Sequence, residues 1–221
     1  MPEASSEADR IRSYYRDASW TASPGRQFLV AEWRAQIARE ISELGLDFSA
    51  LRVCDVGCGT GSDLQRWTEL GVPEAQLSGT ELIRQRAEAA RGALPGATIE
   101  HVNGFEVPFP ENGFDVVTAS LVFSTVVASD GRRRLAAEMR RVADKGGVIA
   151  IYDFRISKPW NPNVRPVRDR DLTSVLGPPW RRLKVGPFLP VLDLALRLPA
   201  STAQPIVRML PRTHRIWMWR S

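Results

Sequence analysis

Asp55, Gly57, Gly59 and Gly61 fall at alternate positions in Val53-Cys54-Asp55-Val56-Gly57-Cys58-Gly59-Thr60-Gly61. Alternate glycines remove Cβ atoms from a turn, so a ligand can approach the main chain and positive φ costs little. The third glycine comes one residue early for the G-x-G-x-x-G spacing of a dinucleotide turn. A carboxylate two residues before the first glycine would repel a pyrophosphate, whereas it accepts hydrogen bonds from an ammonium group. The turn therefore suits a nucleoside-like cofactor. Thr60 or Ser62 is expected to cap the helix that follows, whose free N–H groups attract polar ligand atoms. Glu81, 20 residues after Gly61, ends a second apolar run and can accept from both hydroxyls of a ribose.

These residues need strands to carry them. Apolar runs and helical spacing predict strand 51–56, helix 61–70, strand 76–81, helix 83–92, strand 98–102, strand 114–121, helix 130–143 and strand 147–153. Two helices precede them, Glu7 to Asp17 and one from Ser23 or Pro24 to about Leu44, with residues 1–6 frayed and Trp20 to Gly25 a loop. Strands alternating with helices imply an α/β fold with a parallel sheet covered on both faces. Beyond residue 153 the rhythm breaks, and residues 151–221 hold 10 of the 16 prolines and four of the seven tryptophans. A helix from Arg168 to Leu176 and strands at Trp180 to Gly186 and Arg215 to Arg220 are expected there, with 187–211 a long insertion.

Four segments across about residues 50–152 together resemble the class I S-adenosylmethionine (SAM)-dependent methyltransferases of the methyltransferase domain 11-like kind. They are the D-x-G-x-G-x-G turn, the acid-ended strand at Glu81, Asn103-Gly104-Phe105 leading to Val107-Pro108-Phe109-Pro110, and Glu138 to Gly147. The resemblance implies a Rossmann-like, seven-stranded, mostly parallel sheet with an antiparallel C-terminal strand. It implies SAM as cofactor and S-adenosylhomocysteine as product. The cofactor would be held by Asp55, Gly57, Gly59, Gly61, Glu81, Leu82, Asn103, Gly104, Phe105 and Ser120. Asn103 stands where the family has an acid, and its side-chain oxygen can still accept from an adenine amino group. One domain is expected, with a helical cover at 1–45, a cofactor core at 46–153 and a substrate-side segment at 154–221.

The acceptor side is written in different residues. Ser120 to Ser124 carries no Asn/Asp-Pro-Pro-Tyr/Phe motif, which argues against a nucleobase or amide substrate. Phe123, Ser124, Tyr14 and Tyr15 are expected in the pocket. The stretch Tyr152-Asp153-Phe154-Arg155 and Asn161-Pro162-Asn163-Val164-Arg165 resembles a bacterial subgroup linked to glycan and natural-product clusters. Arg155, Asn163 and Arg165 are candidate substrate ligands, and two arginines can clamp an anion; the structural alternative pairs them with Asp153 and Asp169. His214 starts the last strand on the substrate side of such a fold, and a histidine's ordinary pKa lies near neutrality, so it is the candidate base. Asp153 and Tyr14 stand in reserve.

Composition bounds the rest. Hydrophobic and charged fractions of 43% and 25% are ordinary for a globular protein. Cys54 and Cys58 are too few for an iron–sulfur cluster and are expected to be reduced packing residues; no metal is expected. The acidic, polar N-terminus has no apolar signal region, and cytoplasmic location is the expectation. Residues 151–221 carry 13 Lys/Arg against 4 Asp/Glu, while the other 150 carry 17 against 21. The basic tail favours an anionic or lipid-linked small molecule, with peripheral membrane contact allowed and nucleic acid not expected. The favoured reaction is methyl transfer to a hydroxyl of a sugar or secondary metabolite. Its rivals are N- or C-methylation, an RNA methyltransferase or RNA-binding protein using the basic tail, and a cofactor-binding fold without catalysis.

Overall fold

The structure is a computed structural model that describes residues 3–17, 23–156 and 161–221. Seven strands form one sheet in the order β3-β2-β1-β4-β5-β7-β6. They are β1 Val53–Val56, β2 Leu77–Glu81, β3 Thr98–His101, β4 Phe114–Ser120, β5 Ala143–Phe154, β6 Arg181–Pro187 and β7 Arg212–Arg220. All run parallel except β7, which lies antiparallel between β5 and β6. The helices are α1 Glu3–Asp17, α2 Pro24–Ser42, α3 Ser62–Glu69, α4 Arg84–Ala93, α5 Ser129–Val142, α6 Asp169–Leu176, α7 Leu189–Ala195 and α8 Ala200–Met209.

Strand alternation divides the core. Cys54, Val56, Val117, Ile149, Ile151 and Trp217 face the cluster beneath α5 and α6. Val53, Val116, Val148, Ala150, Ile216 and Met218 face the opposite cluster beneath α2, α3 and α4. Both clusters are closed to water, and period-two patterning is what separates them. The chain builds β1, β2 and β3 outward, then crosses back to lay β4 on the other side of β1. A crevice opens at such a reversal, outside the carboxyl ends of the strands.

Several boundaries differ from expectation. α1 begins at Glu3, so the residues read as frayed are partly helical. β7 begins at Arg212, three residues early, because pairing with β5 and β6 on both sides extends it. The insertion at 187–211 folds into α7 and α8. Leu192, Ala195 and Val207 bury themselves with Leu29 of α2, giving this short helical pair its own small core. The expected loop residues Trp20, Thr21 and Ala22, and Trp160 of the tail, lie outside the described residues.

Candidate functional site

The glycine turn is pinned to its neighbouring strand. Gly57 and Cys58 donate backbone N–H groups to the Thr80 carbonyl at 2.8 and 2.9 Å. Glu81 holds the other side, with Oε2 accepting from Gly59 N–H at 2.9 Å and Oε1 from Ile83 N–H at 2.7 Å. The three glycines serve different needs. A Cβ on Gly57 would sit 2.6 Å from Val122 Cγ2, and one on Gly61 would press Ala90 of α4 and Leu94 just beyond it at 3.3 Å. A Cβ on Gly59 would meet nothing within 4 Å, because that position faces open cavity at φ +58. Gly61 itself is the N-cap of α3 at φ +85, with no side-chain cap, so neither Thr60 nor Ser62 caps the helix.

Below the turn the charge is acidic. Asp55 is buried, and its Oδ1 accepts from the Thr118 hydroxyl at 2.7 Å. Burial and the neighbouring Asp63 push its carboxyl well above the ordinary range. Asp63 is raised by burial and moderated by Arg34, whose Nε donates to it at 2.6 Å. Burial also raises Glu81, against the backbone donors that favour its charged form. Three carboxyl groups thus meet two guanidiniums, Arg34 beside Asp55 and Asp63 and Arg86 beside Glu81. That excess suits a cationic ligand group and disfavours a phosphate.

The turn opens into a cavity of about 830 Å³, near the top of the range for small-molecule sites. Gly57, Gly59, Glu81 and Leu82 line one end, with Gly104, Phe105 and Ser120 nearby. Four aromatic rings form a further part of the wall. Trp33 stacks on Tyr152 (centroids 5.2 Å, 14°), Tyr152 on His214 (5.2 Å, 12°), and Phe154 leans on His214 at 4.3 Å. Thr213 Oγ1 lies 3.1 Å from the Gly186 carbonyl, to which it donates, and 2.9 Å from His214 Nδ1. A hydroxyl has one proton, so its oxygen accepts from Nδ1–H.

α1 forms a cover. Glu7 Oε1 accepts from the backbone N–H of Val127 and Ala128 at 2.6 and 3.2 Å. Arg10 pairs with Glu7 and donates to the Thr125 carbonyl. Burial opposes ionisation of Glu7, but Arg10 and the two N–H donors outweigh it and hold the carboxyl low. Tyr14 and Tyr15 line the cavity from this helix. Burial drives the Tyr15 phenol up to about 12, and the Arg86 guanidinium lies 4.3 Å over its ring.

Other expected site residues sit elsewhere. Asn103 is exposed, and its carbonyl and side-chain oxygens accept from Arg12 at 3.3 Å rather than lining the cavity. Phe123 is fully buried in the core, while its neighbours Val122 and Ser124 line the wall. Asp153 points beneath the wall, with Oδ2 on Ser124 N–H at 2.9 Å and Oδ1 on Phe154 N–H at 2.7 Å. Arg155 is exposed and donates to the Arg212 carbonyl, not to Asp153. Asn163 accepts from Arg10 at 3.0 Å. Arg165 donates to the Val127 carbonyl at 3.0 Å and lies 3.9 Å from Asp171, so its acidic neighbour is not Asp169. Asp55 and Gly61 support the turn from below without lining the cavity. Trp33, Arg34, Asp63 and Thr213 escaped the sequence reading. Asp63, adjoining the glycine turn, and Thr213, adjoining His214, carried a signal.

Cys54 and Cys58 are both free and buried, and burial raises both thiols. Among the described residues no cluster of His, Cys, Asp or Glu has the arrangement of a metal site. No described helix is long and apolar enough to cross a membrane.

The family model for the methyltransferase domain matches residues 54–151. The ubiquinone/menaquinone biosynthesis C-methyltransferase UbiE of Burkholderia cenocepacia is 29% identical over 133 residues, 58% of this chain and 51% of that protein. The chain thus spans about half the length of the curated relatives it matches. Magnesium protoporphyrin IX methyltransferase from Synechocystis, solved with bound SAM, superposes with a TM-score of 0.68 at 12% identity over 97% of this chain and 96% of that one. Geranyl diphosphate C-methyltransferase from Streptomyces coelicolor gives 0.68 at 13%, over 97% and 98%. These two structures share the fold.

Proposed function

From the match of residues 54–151 to the methyltransferase domain model and the fold shared with SAM-dependent methyltransferases, we propose that the chain methylates a small, largely apolar metabolite. The observation that carries this reading is one continuous cavity joining the bare, acidic glycine turn to the aromatic wall around His214. When bound, SAM supplies an electrophilic methyl group on a sulfonium. Glu81 fits a ribose diol, Gly59 leaves room for close approach, and Asp55 with Asp63 complements an ammonium group. That donor set fits a cofactor with an amino-acid end.

The acceptor is read from the aromatic wall. Trp33, Tyr152, Phe154 and Ile156 offer flat and apolar contact, which favours a secondary metabolite over a sugar. His214 is the proposed base, with Thr213 fixing its ring and Nε2 receiving the proton of an acceptor hydroxyl. Closure of α1 through Glu7 and Arg10 excludes water from the transfer. A carbon acceptor is the second reading, because both UbiE and the geranyl diphosphate enzyme are named C-methyltransferases. Calorimetry with S-adenosylhomocysteine tests the cofactor claim, and absence of binding by the purified chain would overturn it. Mass spectrometry of products from phenolic and enolic acceptors then separates oxygen from carbon transfer.

A further inference from the structure

The helical pair inserted before β7 leaves several large apolar side chains exposed. Among the described residues, Trp180, Val191, Leu194, Leu198 and Met209 are the exposed large hydrophobics, and four of the five lie within 191–209. Leu194 is 64% exposed and Met209 87%. The buried side of α7 and α8 is already satisfied by Leu29 of α2, so these outward residues do not serve the fold.

The charge on this face has one sign. Arg197 and Arg208 are exposed and make no ion pair among the described residues. Asp193 is the one acid between 187 and 211, and it is turned inward, accepting from the Ser23 hydroxyl at 3.1 Å and Gly25 N–H at 2.8 Å. Phe188, Leu189 and Pro190, at the start of the same unit, line the cavity. One short element therefore joins an apolar, cationic exterior to the wall of the site.

We propose that the outward face of α7 and α8 docks on an anionic lipid surface and presents the cavity to it. Protruding apolar side chains beside unpaired arginines match a negatively charged bilayer interface, where the apolar groups enter the acyl boundary and the guanidiniums meet headgroup phosphates. A symmetric contact with a second copy would bring Arg197 and Arg208 toward their own equivalents, and like charges oppose it. A nucleic acid would satisfy the arginines but leave Leu194 and Met209 in water. Delivery of an apolar acceptor from the bilayer to the cavity rests on the methyl-transfer reading; the docking itself does not.

Vesicle co-sedimentation of the full chain tests this, with phosphatidylcholine alone and with phosphatidylcholine mixed with phosphatidylglycerol. The chain should bind the mixed vesicles and not the neutral ones, and added salt should weaken binding. Arg197→Gln and Arg208→Gln should each reduce affinity about fivefold. Leu194→Asp combined with Met209→Asp should reduce it at least about tenfold. S-adenosylhomocysteine calorimetry on the same preparations should be unchanged, which establishes folding and separates failure of docking from failure of the cofactor reading. Three results would overturn the proposal: wild-type protein left in the supernatant with mixed vesicles, variants that bind like wild type, or a dimer that the Asp variants convert to monomer. Salt-sensitive RNA binding without vesicle binding would overturn it as well.

Discussion

Asp153 Oδ2 accepts the backbone N–H of Ser124 at 2.9 Å, tying the end of β5 to the loop after β4 beneath the cavity wall. Its other oxygen takes the N–H of Phe154 at 2.7 Å. Complete burial raises this carboxyl to about 6, although the Ser124 and Phe154 donors and Arg132 favour its charged form. Asp153 therefore positions Ser124 and Phe154 and does not itself face the cavity.

That burial has a signed consequence for stability. The folded state binds the Asp153 proton more tightly than the unfolded chain, whose carboxyl titrates at about 3.8. The protonated form's contribution, about 3 kcal/mol, is complete below about pH 3.8 and is lost as pH rises through about 6. Urea denaturation at a series of pH values should show Asp153→Asn losing this downward slope relative to wild type. The same slope in both proteins would refute the assignment.

The glycine turn separates ligand space from packing space. Gly59→Ala has room for its methyl and should fold with a loss of about 1–2 kcal/mol from positive φ alone. Its S-adenosylhomocysteine affinity should nevertheless fall at least about tenfold, since the methyl projects into the cavity. Gly57→Ala should cost more stability, because its methyl strikes Val122. Adding Val122→Ala should recover part of that stability. Thermal melts of the single and double variants measure the recovery.

The sheet and the glycine turn were legible because their signals are local. An apolar run ending in an acid marks β1 and β2, and alternate glycines mark the turn. The tail was harder. Asp153 and Phe123 were expected in the pocket, but neighbours along β5 face opposite ways, and Phe123 lies in the turn after β4 with its ring in the core. Tyr152 and Phe154 line the cavity instead, as do Val122 and Ser124 on either side of Phe123. Arg155 and Arg165 read as anion ligands from charge, whereas backbone carbonyls brought close by folding occupy them. Nothing local marks which face of α2 covers a cavity, so Trp33 and Arg34 carried no signal.

Arg132 on α5 binds the crossing segment into the fold. Fully buried, it donates to the carbonyls of Val126, Arg165 and Pro166 and pairs with Asp171 at 2.8 Å. Arg132→Met leaves these acceptors and the Asp171 charge without their donor. A loss of about 3–5 kcal/mol in chemical denaturation is expected. A loss below about 1 kcal/mol would show that the segment is held by other contacts.

Glu7 should govern the cover rather than the chemistry. Glu7→Ala removes the acceptor for Val127 and Ala128 N–H and the partner of Arg10. Amide exchange in α1 should quicken by about tenfold or more, corresponding to about 1–3 kcal/mol of lost local stability. The central strands should keep their protection. Unchanged exchange in α1 would mean that other contacts close the helix.

His214 tests the chemistry most directly. Its ring sits between Tyr152 and Phe154, its Nδ1 rests on Thr213, and Gly186 is bare beside it, where a Cβ would lie 2.5 Å from Nδ1. A ring so closely packed is expensive to build without use, yet packing alone would also hold it. The two roles separate kinetically. If Nε2 takes the acceptor's proton, His214→Gln should lower kcat about 100- to 10,000-fold and abolish the acidic limb of the pH–rate profile. Affinity for S-adenosylhomocysteine should stay within about twofold, since the substitution leaves the glycine turn and Glu81 unaltered. Thr213→Val keeps the shape but removes the oxygen that fixes Nδ1–H, so it should lower kcat by a smaller factor with little change in KM. A His214→Gln variant that retains kcat, or that loses kcat and cofactor affinity together, would assign the ring to packing and remove it from the reaction.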